Sequence, residues 1–205
     1  DAKIGIGTGL NLDVTVNPDF SQIEIDEQVV NLTRFNVQLP EKRTFFLENA
    51  DVFGNFGIPP IRPFFSRRIG LNDDGTPGTI LGGLRLTGNL GPDTRVGALM
   101  MQTRPEKGSI SQNYSALTLT RRVFGRSTVG GYMLNRESFD KAEHTPGQYR
   151  RNAGLETLFI STDGKWNGWL THHRSFQPEA SNQNWWGNTG FTYSTRKFNI
   201  LVDAL

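Results

Sequence analysis

From Ile80 onward, apolar and polar residues alternate in stretches of about ten residues, the length a tilted membrane strand needs. Ile80, Leu84, Leu86 and Leu90 share one face of the first stretch, with Gly82 and Gly88 between them, while Arg85, Thr87 and Asn89 take the other. A period of two is the mark of a strand with unlike faces. After the turn Gly91-Pro92-Asp93, Val96, Ala98 and Met100 alternate with Arg95, Gly97 and Leu99. The same unit recurs around Phe124-Gly125-Arg126, Asp163-Gly164-Lys165 and Thr195-Arg196-Lys197. Longer polar links, 104–113, 137–150 and 174–184, separate these hairpins. Short turns alternating with long links predict an all-β fold, an antiparallel transmembrane β-barrel with short turns in the periplasm and long links outside. A soluble β-sandwich binding module is the alternative, but nothing in a sandwich requires that alternation of lengths.

The first part of the chain, residues 1–79, has another texture. Leu10, Leu12, Val14 and Val16 alternate with Asn11, Asp13, Thr15 and Asn17, a strand ended by Pro18, and Ile4 and Ile6 predict a strand before it. Beyond Phe20–Ile25 the period is lost. Val29, Val30, Leu32 and Phe35 suit a short helix that stops before Pro40. Then come Glu41-Lys42-Arg43, the apolar Phe45-Phe46-Leu47, and a Gly/Pro-rich link to Phe64-Phe65-Ser66-Arg67-Arg68. So long a connection inside a barrel is expected to fold into the lumen or over one rim, because irregular backbone is not tolerated against lipid. The hairpins fill 80–205, about eight strands, and 1–79 adds two more. The last strand runs from Phe198 to Leu205 without a turn, so the expectation is a barrel fragment whose closure needs further strands.

Composition changes this picture little. Hydrophobic residues make up 36% of the chain and the mean hydropathy is −0.45. Such values suit a barrel as well as a soluble protein, since every second strand residue of a barrel meets a polar lumen. Basic residues number 22 against 20 acidic, an imbalance too small to point to nucleic acid. There is no cysteine, which removes disulfides and thiolate chemistry. Phe124, Trp166, Tyr193 and Phe198 sit near the short turns, and Tyr114, Trp185 and Trp186 beside the long links, a pattern expected of two interfacial girdles.

Candidate chemistry is sparse. Glu41, Lys42, Arg43, Arg67 and Arg68 are dense charge beside aromatic runs, and Arg85 and Arg95 lie on polar faces of adjacent strands. In a lumen these would pair and anchor the irregular segment, or tune selectivity. His172 and His173, being adjacent on a strand, point to opposite faces, and His144 lies in a polar link, so no metal site or cofactor is expected. Asn72-Asp73-Asp74-Gly75 reads as a turn rather than a calcium loop. No catalytic residue is assigned. The enzymatic alternative, an outer-membrane glycan-acting enzyme, would draw a carboxylate pair from Asp13, Asp19, Glu24, Asp26 and Glu156.

Four motifs occur in fixed order: Asn17-Pro18-Asp19-Phe20-Ser21-Gln22, Val30-Asn31-Leu32, Pro40-Glu41-Lys42-Arg43 with Phe45-Phe46-Leu47-Glu48, and Ser66-Arg67-Arg68-Ile69-Gly70. Leu81 to Gly88 follows them. Together they resemble a family of uncharacterised Gram-negative outer-membrane barrel proteins, a domain of unknown function. Its full-length members usually carry an N-terminal sandwich similar to family-nine carbohydrate-binding modules. The resemblance implies the outer membrane as location and a barrel as fold, and says little about activity. The leading expectation is a non-enzymatic pore, transport or scaffold role, with outer-membrane lipid and other envelope proteins as partners. Any glycan contact would come through the N-terminal sandwich, which is not among these residues. Protease added to intact cells is expected to cut near Lys141 or Arg150 and to spare Gly125 and Gly164; cleavage at the short turns alone would reverse the orientation.

Overall fold

The computed structural model describes residues 1–18, 40–58, 61–71, 78–105, 110–140, 143–178 and 184–204. Ten strands run in chain order: β1 (Ala2–Ile6), β2 (Leu10–Val16), β3 (Ile80–Asn89), β4 (Thr94–Thr103), β5 (Ser111–Val123), β6 (Ser127–Asp140), β7 (Glu143–Ile160), β8 (Trp166–Phe176), β9 (Trp185–Ser194) and β10 (Asn199–Ala204). Each pairs antiparallel with the next, so they make one meander sheet in sequence order. The sheet is open, with β1 and β10 as its two edges. Between β2 and β3 lie the short helices α1 (Thr44–Leu47) and α2 (Asp51–Gly54) and a 3-10 turn at Ser66–Arg68. The helix expected near Val29–Phe35 and the turn expected at Asn72–Gly75 lie outside the described residues.

Alternation gives the sheet two unlike faces. Cross-strand partners share a face, so Leu12, Leu86, Ala98, Leu117 and Met133 form one continuous row across β2 to β6. That face stays uncovered: Leu84, Met100, Leu117, Leu119, Met133, Leu155 and Leu170 are each between 46% and 57% exposed. The opposite face carries Asp13, Thr15, Arg85, Thr87, Leu99, Met101, Ala116, Thr118, Tyr132 and His173, all buried. The irregular segment lies against it. Phe45, Phe46, Val52 and Phe53 join Ile69, Leu99, Met101 and Ala116 in one core. Gly97 lets the segment come this close, because a Cβ there would meet Val52, Phe53 and Thr118.

Several expectations need correction. Ile80 does not share the exposed face. A bulge puts Leu81 between the pairs Ile80–Thr103 and Gly82–Gln102, and one extra residue turns Ile80 inward, where it is buried in the core. Leu90 lies beyond the end of β3, in the turn before β4. The link 137–150 is mostly strand: the β6–β7 ladder continues, past a register shift after Glu137, to the pair Asp140–Glu143. Arg150 is therefore a strand residue, and only the neighbourhood of Lys141 remains as the protease site. Likewise β5 begins at Ser111, inside the expected link 104–113. Trp186 and Tyr114 do not belong to an outer girdle. Trp186 stacks on His173 and Tyr114 packs against the inner core, which leaves Trp185, 62% exposed, on the outer face.

Replacing Gly97 by Leu should destabilise the fold by about 1–3 kcal/mol, since the added side chain has to displace the α2 contacts. Urea unfolding measures it, and an unchanged midpoint would show that the segment does not bear on β4.

Candidate functional site

The only helices among the described residues are the two short ones and the 3-10 turn, and none has a side-chain cap. Their free backbone groups need partners from elsewhere. Arg85 supplies several. Its guanidinium donates to Asp13 Oδ2 at 2.8 and 3.1 Å, and from the other side to the carbonyls of Phe45 and Glu48. Arg85 is 2% exposed, and its guanidinium lies over the Phe45 ring. Arg95 repeats the arrangement one strand along, bridging to the Asp51 carboxylate and donating to Asn49 Oδ1 at 3.4 Å. Arg85 and Arg95 thus meet the same segment rather than each other. Lys3 pairs with Glu48 at the exposed margin.

Within the segment, Glu41 and Arg43 form a closed unit. Arg43 donates to both oxygens of Glu41, at 2.9 and 2.8 Å, to the Ile69 carbonyl at 2.7 Å and to the Ser66 carbonyl at 2.6 Å, with its charge over the Phe46 ring. It ties the start of α1 to the 3-10 turn, 23 residues later. Burial pushes the Glu41 carboxyl up, but hydrogen bonds from Arg43 and Ser66 and the Arg43 charge outweigh it and leave Glu41 below the ordinary glutamate value. Lys42 and Arg67 are half-buried. Arg68 is exposed, and its carbonyl accepts from the Tyr114 hydroxyl at 3.5 Å.

A second cluster holds the far end of the segment. Glu156 Oε1 accepts the Gly57 N–H at 2.6 Å and lies 3.2 Å from His173 Nε2. The Tyr132 hydroxyl meets His173 Nδ1 at 2.7 Å, and the Phe56 ring packs on Tyr132. Gly154 makes room for these rings, since a Cβ there would meet Tyr132 and His173. Nothing in the sequence paired these three residues; the one available signal was that each lies on a polar strand face. His172 faces the other way and stacks on Trp185.

Of the five carboxylates considered for hydrolysis, Asp19, Glu24 and Asp26 lie outside the described residues. Asp13 is committed to Arg85, and Glu156 to Gly57 and His173, on strands with four others between them. No group of three His, Asp or Glu among the described residues is arranged to hold a metal ion.

Fold and site together define an all-β antiparallel sheet protein with an irregular segment clamped to one face. Residues 1–81 match the model of a family described as Domain of unknown function (DUF5916), a stretch that takes in β1, β2, the clamped segment and the first residues of β3. Searches of curated proteins and of solved structures gave no significant match.

Two outcomes test the clamp. Arg85→Met should destabilise by about 3–5 kcal/mol by leaving the Asp13 carboxylate buried and alone, and adding Asp13→Leu should recover much of that loss in denaturant unfolding. Because Glu41 is depressed in the folded state, its contribution is complete above its ordinary value of 4.5 and is lost as pH falls below it. The gap in thermal midpoint between the native chain and Glu41→Gln should therefore be widest near neutral pH and close in acid.

Proposed function

We propose that the chain forms part of the wall of a transmembrane β-barrel in a Gram-negative outer membrane, with residues 40–58 and 61–71 folded against its lumen face. The role is non-enzymatic, passing a solute or anchoring an envelope assembly. The observation that carries this reading is the uncovered apolar face running from Leu84 on β3 to Leu170 on β8. Contiguous apolar surface on that scale marks a contact with lipid or protein rather than with water. The polar inner face supports the same reading, as do β3 and β4 at 10 residues each, the length of a tilted membrane strand.

The outward aromatics fit two interfaces. Trp166, Tyr193 and Phe198 cluster near the short turns, and Trp185 and Phe176 lie at the other end of their strands. The segment enters from the long-link end, because β2 and β3 are joined there. In this setting both sheet edges require cover, since bare N–H and C=O groups in hydrocarbon cost several kcal/mol each. Strands of the same polypeptide or of a partner supply it.

Folded chain mixed with preformed liposomes should float with the vesicles and stay with them through alkaline carbonate. Leu117→Arg should cost about 2–4 kcal/mol in that state. A native-like chain that is monodisperse in plain buffer and ignores vesicles would overturn the proposal and favour a sandwich whose second layer covers the apolar face.

A further inference from the structure

At the long-link end of the inner face, one row of cross-strand neighbours runs Met101, Tyr114, Arg136, Arg150 over β4 to β7. The last two are directly opposed. Like charges directly across a ladder repel, and they do so more strongly where apolar walls lower the local dielectric. The two arginines line two adjoining cavities. One, of about 190 Å³, is roofed by Phe64, Phe65 and Arg68, with Asn152 on its floor. The other, of about 370 Å³, is lined by the neutral polar side chains of Gln112, Ser138, Gln148 and Gln177.

No aspartate or glutamate is among the described lining residues of either cavity. The adjacent carboxylate, Glu137, is one residue out of phase, so it sits on the outer face and binds Arg151 there at 2.6 Å. Arg136 has a further non-covalent partner. Arg150 forms no ion pair among the described residues, and it is exposed to whatever enters. Three arginines thus line the smaller cavity, whose other polar groups are uncharged amides and hydroxyls. A guanidinium presents parallel N–H donors that match two oxygens of one oxyanion, and a doubly charged guest offsets the repulsion between neighbouring arginines.

We propose that Arg136 and Arg150, with Arg68 above them, bind a tetrahedral oxyanion, the phosphate or sulfate group of a small solute. The site stands on the inner face alone, so it holds whether lipid or protein covers the outer one. In a barrel it would make the passage or lumen selective for anionic solutes.

The test uses the folded full chain, in detergent or in buffer, whichever keeps it monodisperse. Thermal midpoints are followed against sodium phosphate and sodium sulfate, with sodium chloride at matched ionic strength as reference. The native chain and Arg174→Gln, an outer-face control, should gain a saturable upward shift with phosphate, sulfate or both, beyond that of chloride. A response to one oxyanion alone identifies the group bound. Arg150→Gln should weaken the response at least tenfold, while its midpoint without added anion is no lower than that of the native chain. Shifts equal to those of chloride, or a phosphate response that persists undiminished in both Arg150→Gln and Arg136→Gln, would overturn the proposal. So would a lower anion-free midpoint for Arg150→Gln, since no like-charge repulsion would then exist to be relieved.

Discussion

A buried guanidinium is tolerated only if its N–H donors have acceptors, and at Arg85, a residue 2% exposed, those acceptors come from two parts of the fold at once. Asp13 on β2 fixes the β2–β3 register, and the carbonyls of Phe45 and Glu48 fix the segment that interrupts those two strands. The separations in sequence are 72, 40 and 37 residues. One side chain therefore closes the longest connection in the described structure. With α1 held there, Phe45 and Phe46 meet Leu99, Met101 and Ala116, and the chain proceeds along the inner face to Arg95 and then Glu156. Removing the guanidinium would leave a buried carboxylate and two inward carbonyls to find other partners.

The strand order and the two faces could be read from the sequence because a period of two is a local property. Leu84, Leu86, Val96, Met100, Leu117 and Leu119 need no knowledge of the rest of the chain to be placed together. Ile80 resisted for a physical reason: a single bulged residue, Leu81, reverses the phase, and side-chain polarity does not announce a bulge. Trp185 and Trp186 resisted because adjacency in sequence was read as one cluster, whereas neighbours on a strand face opposite ways. The link 137–150 looked like loop because its residues are polar, yet polar residues extend a ladder well beyond an apolar band.

The clamp was less legible. Glu41, Arg43, Arg85 and Arg95 stand out in the sequence only as charges beside aromatic runs or on polar faces. Nothing there names Asp13, Asp51 or the carbonyls of Ile69 and Ser66 as their partners. Those contacts depend on where an aperiodic segment lies, and no local pattern encodes that. The Tyr132–His173–Glu156 cluster is hidden for the same reason, being assembled from three strands and the Gly57 amide. Residues 1–81, where a family model matches, carry the Glu41–Arg43 unit and the acceptors Asp13 and Asp51, while Arg85, Arg95 and Glu156, which hold the segment from the sheet, lie on the hairpins beyond.

The central claim is that the face bearing Leu117 and Leu119 meets lipid while the face bearing Ala116 and Thr118 meets the folded segment. The chain has no cysteine, so single cysteines at positions 115 to 120 can each carry a spin label without interference. The decisive measurement is the relaxation of each label in proteoliposomes by oxygen, which concentrates in the bilayer, and by a water-soluble nickel chelate. A period of two is expected, with 117 and 119 relaxed by oxygen and shielded from nickel, and 116 and 118 immobilised and shielded from oxygen. Labels at 117 and 119 that respond to nickel as surface residues do, or that are shielded from both agents, would contradict it.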